Sequence, residues 1–198
     1  MIDAITRCAE ILRAGGIVAY PTETFYALGS LASRPDALAR LASAKLRPEG
    51  KPLPLLAADL DQVRTVAVLD GLAERLATRF WPGPLTLVIP AVADLDGTIT
   101  AGSGTVAIRI PGNALARQLA SAAGGPLVST SANRSGEPPP AGPAELAPQL
   151  VARIDAVLVA APCPGGLPST IVGVSGDAVT LLRVGAVPFW EVESAARS

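Results

Sequence analysis

Ile2, Ile5, Ala9 and Leu12 recur at three- and four-residue spacing around Asp3, an N-cap residue type, and Gly15-Gly16 follows as a stop signal. That pattern predicts a helix over residues 3–14. Ile17-Val18-Ala19-Tyr20 is a short β-rich run ending at Pro21, which reads as a strand delivering Thr22-Glu23-Thr24 to a loop. A second helix fits residues 35–44, with proline in its first turn and Leu38, Leu41 and Ala42 on one face. Residues 53–57 have the pattern of a buried strand, 59–63 and 72–80 that of helices, and 85–89 and 105–110 that of strands separated by a glycine-rich turn. A helix over 114–122 ends at Gly124-Gly125, and Leu127-Val128 is a strand running into Ser129-Thr130-Ser131-Ala132-Asn133. Four prolines and one glycine predict an exposed connector at 137–143, and further strands are expected at 156–159, 170–174 and 179–182. Helices and strands mingle without an internal repeat, so the fold class is α/β: one domain over residues 1–198, with a mixed sheet and flanking helices.

Composition narrows the chemistry. Of 198 residues none is histidine, which removes Ser-His-Asp and Cys-His catalysis, histidine bases and the common zinc sites together. Sixteen Lys and Arg against seventeen Asp and Glu leave a net charge of -1, which argues against nucleic-acid binding by bulk positive charge while leaving room for a local basic site. Aromatic residues, at 4%, are too few for rows of stacking rings. Cys8 and Cys163 stand far apart with no CxxC, and read as reduced packing residues. Glycine, proline or a charge interrupts every apolar run before it could span a bilayer, and the N-terminus lacks a signal-peptide charge pattern, so a cytoplasmic protein is expected.

Neither GxGxxG after a strand nor GxxxxGK[ST] occurs. Short polar clusters stand instead where predicted elements end, which is where α/β proteins place their sites. Lys45-x-Arg47, followed by Lys51, puts three cations beside two prolines. They suit phosphate, although basic residues are also favoured after any helix C-terminus. Ser129 to Gly136 concentrates hydroxyls and amides at a strand exit, a pattern that fits either anion contacts or ordinary turn capping. Residues two apart in extended chain share a side, so Ser129, Ser131 and Asn133 are expected along one polar edge, with Thr130 and Ala132 facing away and Thr130 playing no part in the site. Pro168-Ser169-Thr170 exposes two more hydroxyls. Arg109 in VAIRIP and Arg183 in TLLRVG sit in apolar strands, where each needs a carboxylate, a ligand or a wet face. Pro21-Thr22-Glu23-Thr24 is a turn on composition, and Trp81-Pro82-Gly83-Pro84 is packing plus turn.

Taken in order, these clusters resemble the YrdC family of threonylcarbamoyl-adenylate synthases in its short, single-domain bacterial form. The stretches that carry the resemblance are GGIVAYPTETFYALG, AKLRPEGKPL, FWPGPLTLVI, VAIRIP, PLVSTSANRSG, PSTIV and LLRVGAV, from Gly15 to Val187. The resemblance implies a twisted α/β fold around a concave basic cavity. It also implies a reaction in which L-threonine, bicarbonate or CO2, and ATP with Mg²⁺ give threonylcarbamoyl-AMP and pyrophosphate, supplying a tRNA modification. By position, Lys45 and Arg47 are then the catalytic pair and contact ATP together with Thr105, Ser131, Asn133 and Arg183. Thr22, Arg109, Ser129 and Ser169 surround threonine, and no metal-ligating residue is implied. The partners implied are the three substrates, the tRNA-modifying transfer complex downstream and at most weak tRNA contact, with no membrane. This chain departs from the family's YGLG at Tyr26-Ala27-Leu28-Gly29, where the extra methyl strains the backbone if φ is positive. The histidine that longer members place after the KxR segment is also absent from Pro52-Leu53-Pro54-Leu55-Leu56. A paralogue of the same fold that binds RNA or nucleotide without synthase activity is the alternative, since fold does not fix function.

Overall fold

The computed structural model describes residues 2–45, 50–133 and 137–197. Helix α1 (Ile2–Arg13) buries Ile5, Cys8, Ala9 and Leu12, one turn apart along one face, with Asp3 inside its first turn rather than capping it. Strand β1 (Val18–Pro21) follows and is buried at every position. It turns back through a four-residue loop into β2 (Tyr26–Gly29), pairing Pro21 with Tyr26. The sequence pattern gives no strand there, because four wholly buried residues ending in glycine show neither alternation nor length. Helix α2 (Pro35–Ala44) matches its expected bounds. The long apolar stretch after it contributes only the short strand β3 (Leu55–Leu56), flanked by helix α3 (Leu60–Arg64), which Asp59 caps through Gln62 N–H at 2.9 Å.

Helix α4 (Gly71–Phe80) and strand β4 (Leu85–Pro90) are joined by the Trp81 turn, where Trp81 is buried and its indole N–H donates to the Leu85 carbonyl at 2.7 Å. Between β4 and β5 (Thr105–Arg109) the chain forms a short helix, α5 (Gly97–Thr100), rather than the simple glycine-rich turn expected. Helix α6 (Ala114–Ala123) starts at Asn113, whose side chain accepts from Leu115 and Ala116 N–H, and ends at Gly124 with φ 84°. Strands β6 (Leu127–Val128) and β7 (Thr130–Ser131) follow with a single residue between them. The proline-rich stretch leads through a 3₁₀ turn, Pro143–Glu145, to helix α7 (Pro148–Val151). Strands β8 (Ala156–Val157), β9 (Thr170–Ser175) and β10 (Ala178–Arg183) and helix α8 (Phe189–Ala196) complete the chain.

Strand pairing is mixed, as expected, but it is divided over two sheets: a smaller one ordered β7-β2-β1-β8 and a larger one ordered β10-β9-β4-β5-β3-β6. The chain crosses from the larger to the smaller at Ser129, the residue between β6 and β7, whose N–H donates to the Pro54 carbonyl at 2.8 Å. Ala9 and Leu12 of α1 meet Ala116, Leu119, Ala120 and Ala123 of α6 in one core, the alanines letting the helices approach closely, while a second core joins α2, α4 and the larger sheet. Cys8 and Cys163 are both free and buried, and burial pushes both thiols above their ordinary range. The proline-rich connector is not wholly exposed. Pro140 is buried and its carbonyl accepts from Tyr26 N–H at 2.8 Å, because proline lacks a donor yet keeps its acceptor. No described helix is long and apolar enough to cross a membrane.

Candidate functional site

A cavity of about 450 Å³ opens where the two sheets diverge. Its floor is one face of the larger sheet: Thr86 and Val88 of β4, Ala107 and Arg109 of β5, Ile171 of β9, and Leu182 and Arg183 of β10. On β4 and β5 these positions alternate, so two-residue periodicity aims them the same way, while the consecutive Leu182 and Arg183 reach the cavity where the β10 register shifts between Leu181 and Arg183. The wall comes from the smaller sheet and its loops, through Thr22, Thr24, Tyr26, Ala27, Ser129, Thr130 and Ser131, and Ser169 closes the far end. Thr22, Thr24, Thr86, Arg109, Thr130 and Ser169 are all buried as well as lining it, and buried polar groups persist only where they have partners or a ligand to meet.

Arg109 is 7% exposed and pairs with Glu23, its Nη1 donating to Glu23 Oε1. The partner that an arginine in an apolar strand requires is thus a carboxylate of this chain. Arg183 has no such carboxylate among the described residues. Its Nε and Nη2 donate to the Ser169 carbonyl at 3.1 and 2.7 Å, and Nη2 also reaches Ser169 Oγ at 2.9 Å. Burial, and then the positive charge of Arg109, hold Arg183 below the ordinary arginine range, and an anion arriving here meets a guanidinium whose charge no described carboxylate neutralises. Ser169 Oγ lies 2.9 Å from Thr86 Oγ1, which links the floor to the end of the cavity.

Thr22 is 2% exposed, and its hydroxyl is committed to the loop: it donates to the Phe25 carbonyl at 2.7 Å and accepts from Thr24 and Phe25 N–H, each at 3.2 Å. It shapes the wall as a turn staple. The backbone of Ala27 is not left-handed, since Ala101 is the only described residue other than glycine with positive φ. The glycine the segment requires is Gly29, where an added Cβ would lie 2.5 Å from the Val128 carbonyl oxygen and 2.6 Å from Tyr20 Cε1. Tyr20 O–H donates to that carbonyl at 2.9 Å, so Gly29 makes room for the bond that fixes the residue before Ser129.

Lys45 is no solvated loop residue. It is 3% exposed, and its ammonium donates to Thr130 Oγ1 at 3.0 Å, to the Ser131 carbonyl and, at 3.4 Å, to Ser131 Oγ. Burial alternates along 129–133 as the extended reading requires. Thr130 nevertheless belongs to the site, because its inward hydroxyl is what Lys45 reaches. Thr130→Val keeps the shape and removes the acceptor, so it is expected to cost about 1 to 2 kcal/mol of stability in denaturant unfolding.

Asn133 turns to the following segment, its Nδ2 donating to the Glu137 carbonyl, while Oδ1 is buried without a partner among the described residues. Thr105 shares the Arg109 face of β5, but lies four residues, roughly 13 Å, along the strand. It hydrogen-bonds Ser103 Oγ at 2.9 Å outside the cavity lining. Arg47 falls outside the described residues, as do Arg134, Ser135 and Gly136, and Lys51 is exposed. The structure therefore gathers Thr22, Arg109, Ser129, Ser131, Ser169 and Arg183 around one space, with Lys45 against its wall. Sequence reasoning missed Thr24, Thr86 and the role of Glu23; a lone hydroxyl in the apolar run LTLVI was the available signal for Thr86. Among the described residues no three carboxylate, thiol or imidazole side chains come together as a metal site.

The Sua5/YciO/YrdC family profile, described as telomere recombination, matches residues 10–185. The threonylcarbamoyl-AMP synthase of Bacillus subtilis is 38% identical over 192 residues, 96% of this chain and 56% of that protein. The crystal structure of Pyrococcus abyssi Sua5 complexed with L-threonine superposes with a TM-score of 0.91 at 36% identity, covering 96% of this chain and 56% of that one. Escherichia coli YciO gives 0.82 at 27% identity, covering 95% and 92%. The chain spans about half the length of the B. subtilis and P. abyssi proteins. With the family's segments converging on one cavity and the profile matched over nearly all its length, the chain belongs to the Sua5/YciO/YrdC family.

Proposed function

We propose that this chain makes L-threonylcarbamoyl-AMP from L-threonine, bicarbonate or CO2, and ATP, with release of pyrophosphate. The observation that carries the reading is the unlike pair of arginines in one cavity, Arg109 neutralised by Glu23 and Arg183 held, among the described residues, by the neutral groups of Ser169. Two anionic groups of different charge, an amino-acid carboxylate and a nucleotide phosphate, suit two such guanidiniums. The volume is in the range of small-molecule sites. The L-threonine bound to the P. abyssi protein supports the assignment.

The chemistry asks little of acid-base groups. The threonine amine adds to CO2, giving N-carboxythreonine and a proton. A carbamate oxygen then attacks the α-phosphorus of ATP, and the bond to pyrophosphate breaks. Such a displacement is governed by alignment and charge neutralisation, which arginine, lysine and hydroxyls supply without histidine. Arg109 grips the α-carboxylate, flanked by Ser129, Ser169 and the Thr22 turn. Arg183, Lys45, Arg47, Ser131, Asn133 and Thr105 serve the nucleotide. Mg²⁺ enters with ATP, its donors being phosphate and water. The mixed anhydride product passes to a tRNA-modifying transfer complex, and the cytoplasm supplies all three substrates.

The test is pyrophosphate release from ATP with each substrate omitted in turn. Release is expected only when threonine and bicarbonate are both present, and threonine-independent release would overturn the proposal. Retention of tRNA on filters at two salt concentrations, without any pyrophosphate release, would point instead to an RNA-binding paralogue.

A further inference from the structure

Glu23 stands between two threonines in the β1–β2 loop, a stretch whose composition alone says no more than turn. Its side chain is 18% exposed and that of Arg109 8%, and the two are joined through Oε1 and Nη1. The second oxygen, Oε2, is buried and has no hydrogen-bond partner among the described residues. The side chain runs past the turn after β5, where a Cβ on Gly112 would come within 3.7 Å of Glu23 Cγ. Its negative charge adds to burial in raising both Tyr20 and Cys163.

A buried carboxylate with half its acceptors unmet is unfavourable, so its retention calls for a compensating interaction. The only ion pair it makes among the described residues is with the arginine of the cavity. A guanidinium is planar and rigid, and anchoring one terminal nitrogen sets the direction of the remaining N–H edge. The same pair also cancels one of two positive charges on the cavity floor. With Arg109 compensated, Arg183 is the stronger attractor for a polyphosphate; without Glu23, both arginines would draw the phosphates and repel each other.

We infer that Glu23 is a positioning and selectivity residue: it fixes the plane of Arg109 toward an amino-acid carboxylate and keeps that arginine from competing for the phosphates. The inference rests on the synthase reading. Glu23→Gln preserves size and removes the charge, and is expected to raise the threonine KM about ten-fold while kcat stays within about three-fold and the ATP KM does not rise. Pyrophosphate is expected to compete with threonine more strongly in this variant than in the wild type. Glu23→Asp, which keeps the charge but shortens the reach, should recover part of the loss. In an Arg109→Ala background Glu23→Gln should add nothing to the threonine KM, because the residue acts only through that arginine. Equal rises in both KM values, a fall in kcat alone, or additive effects in the double variant would overturn the inference. Wild-type protein lacking threonine-dependent release would sink the synthase reading, whereas an active wild type with an unaltered Glu23→Gln profile sinks only the role of Glu23.

Discussion

Gly185→Ala is expected to destabilise the fold by about 3 kcal/mol and to cut threonine-dependent pyrophosphate release by about a hundred-fold. Gly185 follows the arginine strand in LLRVGAV, and a Cβ there would lie 2.4 Å from three atoms at once: the Pro168 carbonyl oxygen, Ser169 C and Thr170 N. All three are backbone, so no rotamer change relieves the overlap and the two segments must separate. Separation breaks the Ala186 N–H bond to the Pro168 carbonyl, 2.8 Å, and the clasp in which Thr170 Oγ1 donates to the Val187 carbonyl at 2.6 Å and accepts from Val187 N–H at 3.0 Å. It also moves Ser169, whose carbonyl and hydroxyl hold Arg183. Gly97→Ala is the control: it meets nothing within 4 Å and should be neutral or slightly stabilising. Denaturant midpoints and the pyrophosphate assay on both variants decide the matter, and an unchanged midpoint for Gly185→Ala would mean that the two segments are not packed this way.

Gly185 also illustrates what the sequence could and could not convey. Helices α1, α2, α4 and α6 were legible because each buries four apolar residues at helical spacing, and the core behind them has that same period. Strands β4, β5, β9 and β10 were legible as apolar runs. Strand β2 was not, since its four residues are buried on both faces and carry no alternation, and α5 is too short for periodicity to register. The division into two sheets was hidden for another reason: it turns on Ser129, a single residue between two short strands, and pairing partners so distant in sequence leave no local trace. The site followed the same logic. Arg109 and Arg183 announced themselves as charges in apolar strands, and Ser129 and Ser169 as hydroxyls at strand ends. Glu23 could not be singled out, because nothing local distinguishes a carboxylate in a turn from one that reaches an arginine 86 positions away. The contact that Thr130 makes with Lys45 was hidden for a related cause. Alternation correctly turned it inward, but what fills the inside there is the ammonium of Lys45 rather than an apolar side chain.

Lys45→Ala is expected to lower pyrophosphate release by about a hundred- to a thousand-fold, roughly 3 to 4 kcal/mol of transition-state stabilisation. The residue ends α2, where the helix delivers it to the cavity wall, and its ammonium donates to neutral oxygens of Thr130 and Ser131. Neutral oxygens such as these offset less of an ammonium's charge than a carboxylate would. The contact to Ser131 Oγ, at 3.4 Å, is the longest of the three and the one a phosphate oxygen is expected to replace, leaving the Thr130 and Ser131 carbonyl bonds as the anchor. Two effects of the substitution must be separated, because it also strips the acceptors of their donor at a cost of about 1 to 3 kcal/mol in stability. Lys45→Met keeps the buried stem and removes the charge, so packing loss is smaller while the phosphate contact is gone. If Lys45 serves the nucleotide, Met and Ala variants should lose activity alike at a temperature where both are folded, and the ATP KM or kcat should carry the loss with threonine binding intact. A Lys45→Met protein that turns over at the wild-type rate would reduce this lysine to a clamp that holds the Thr130–Ser131 strand in place.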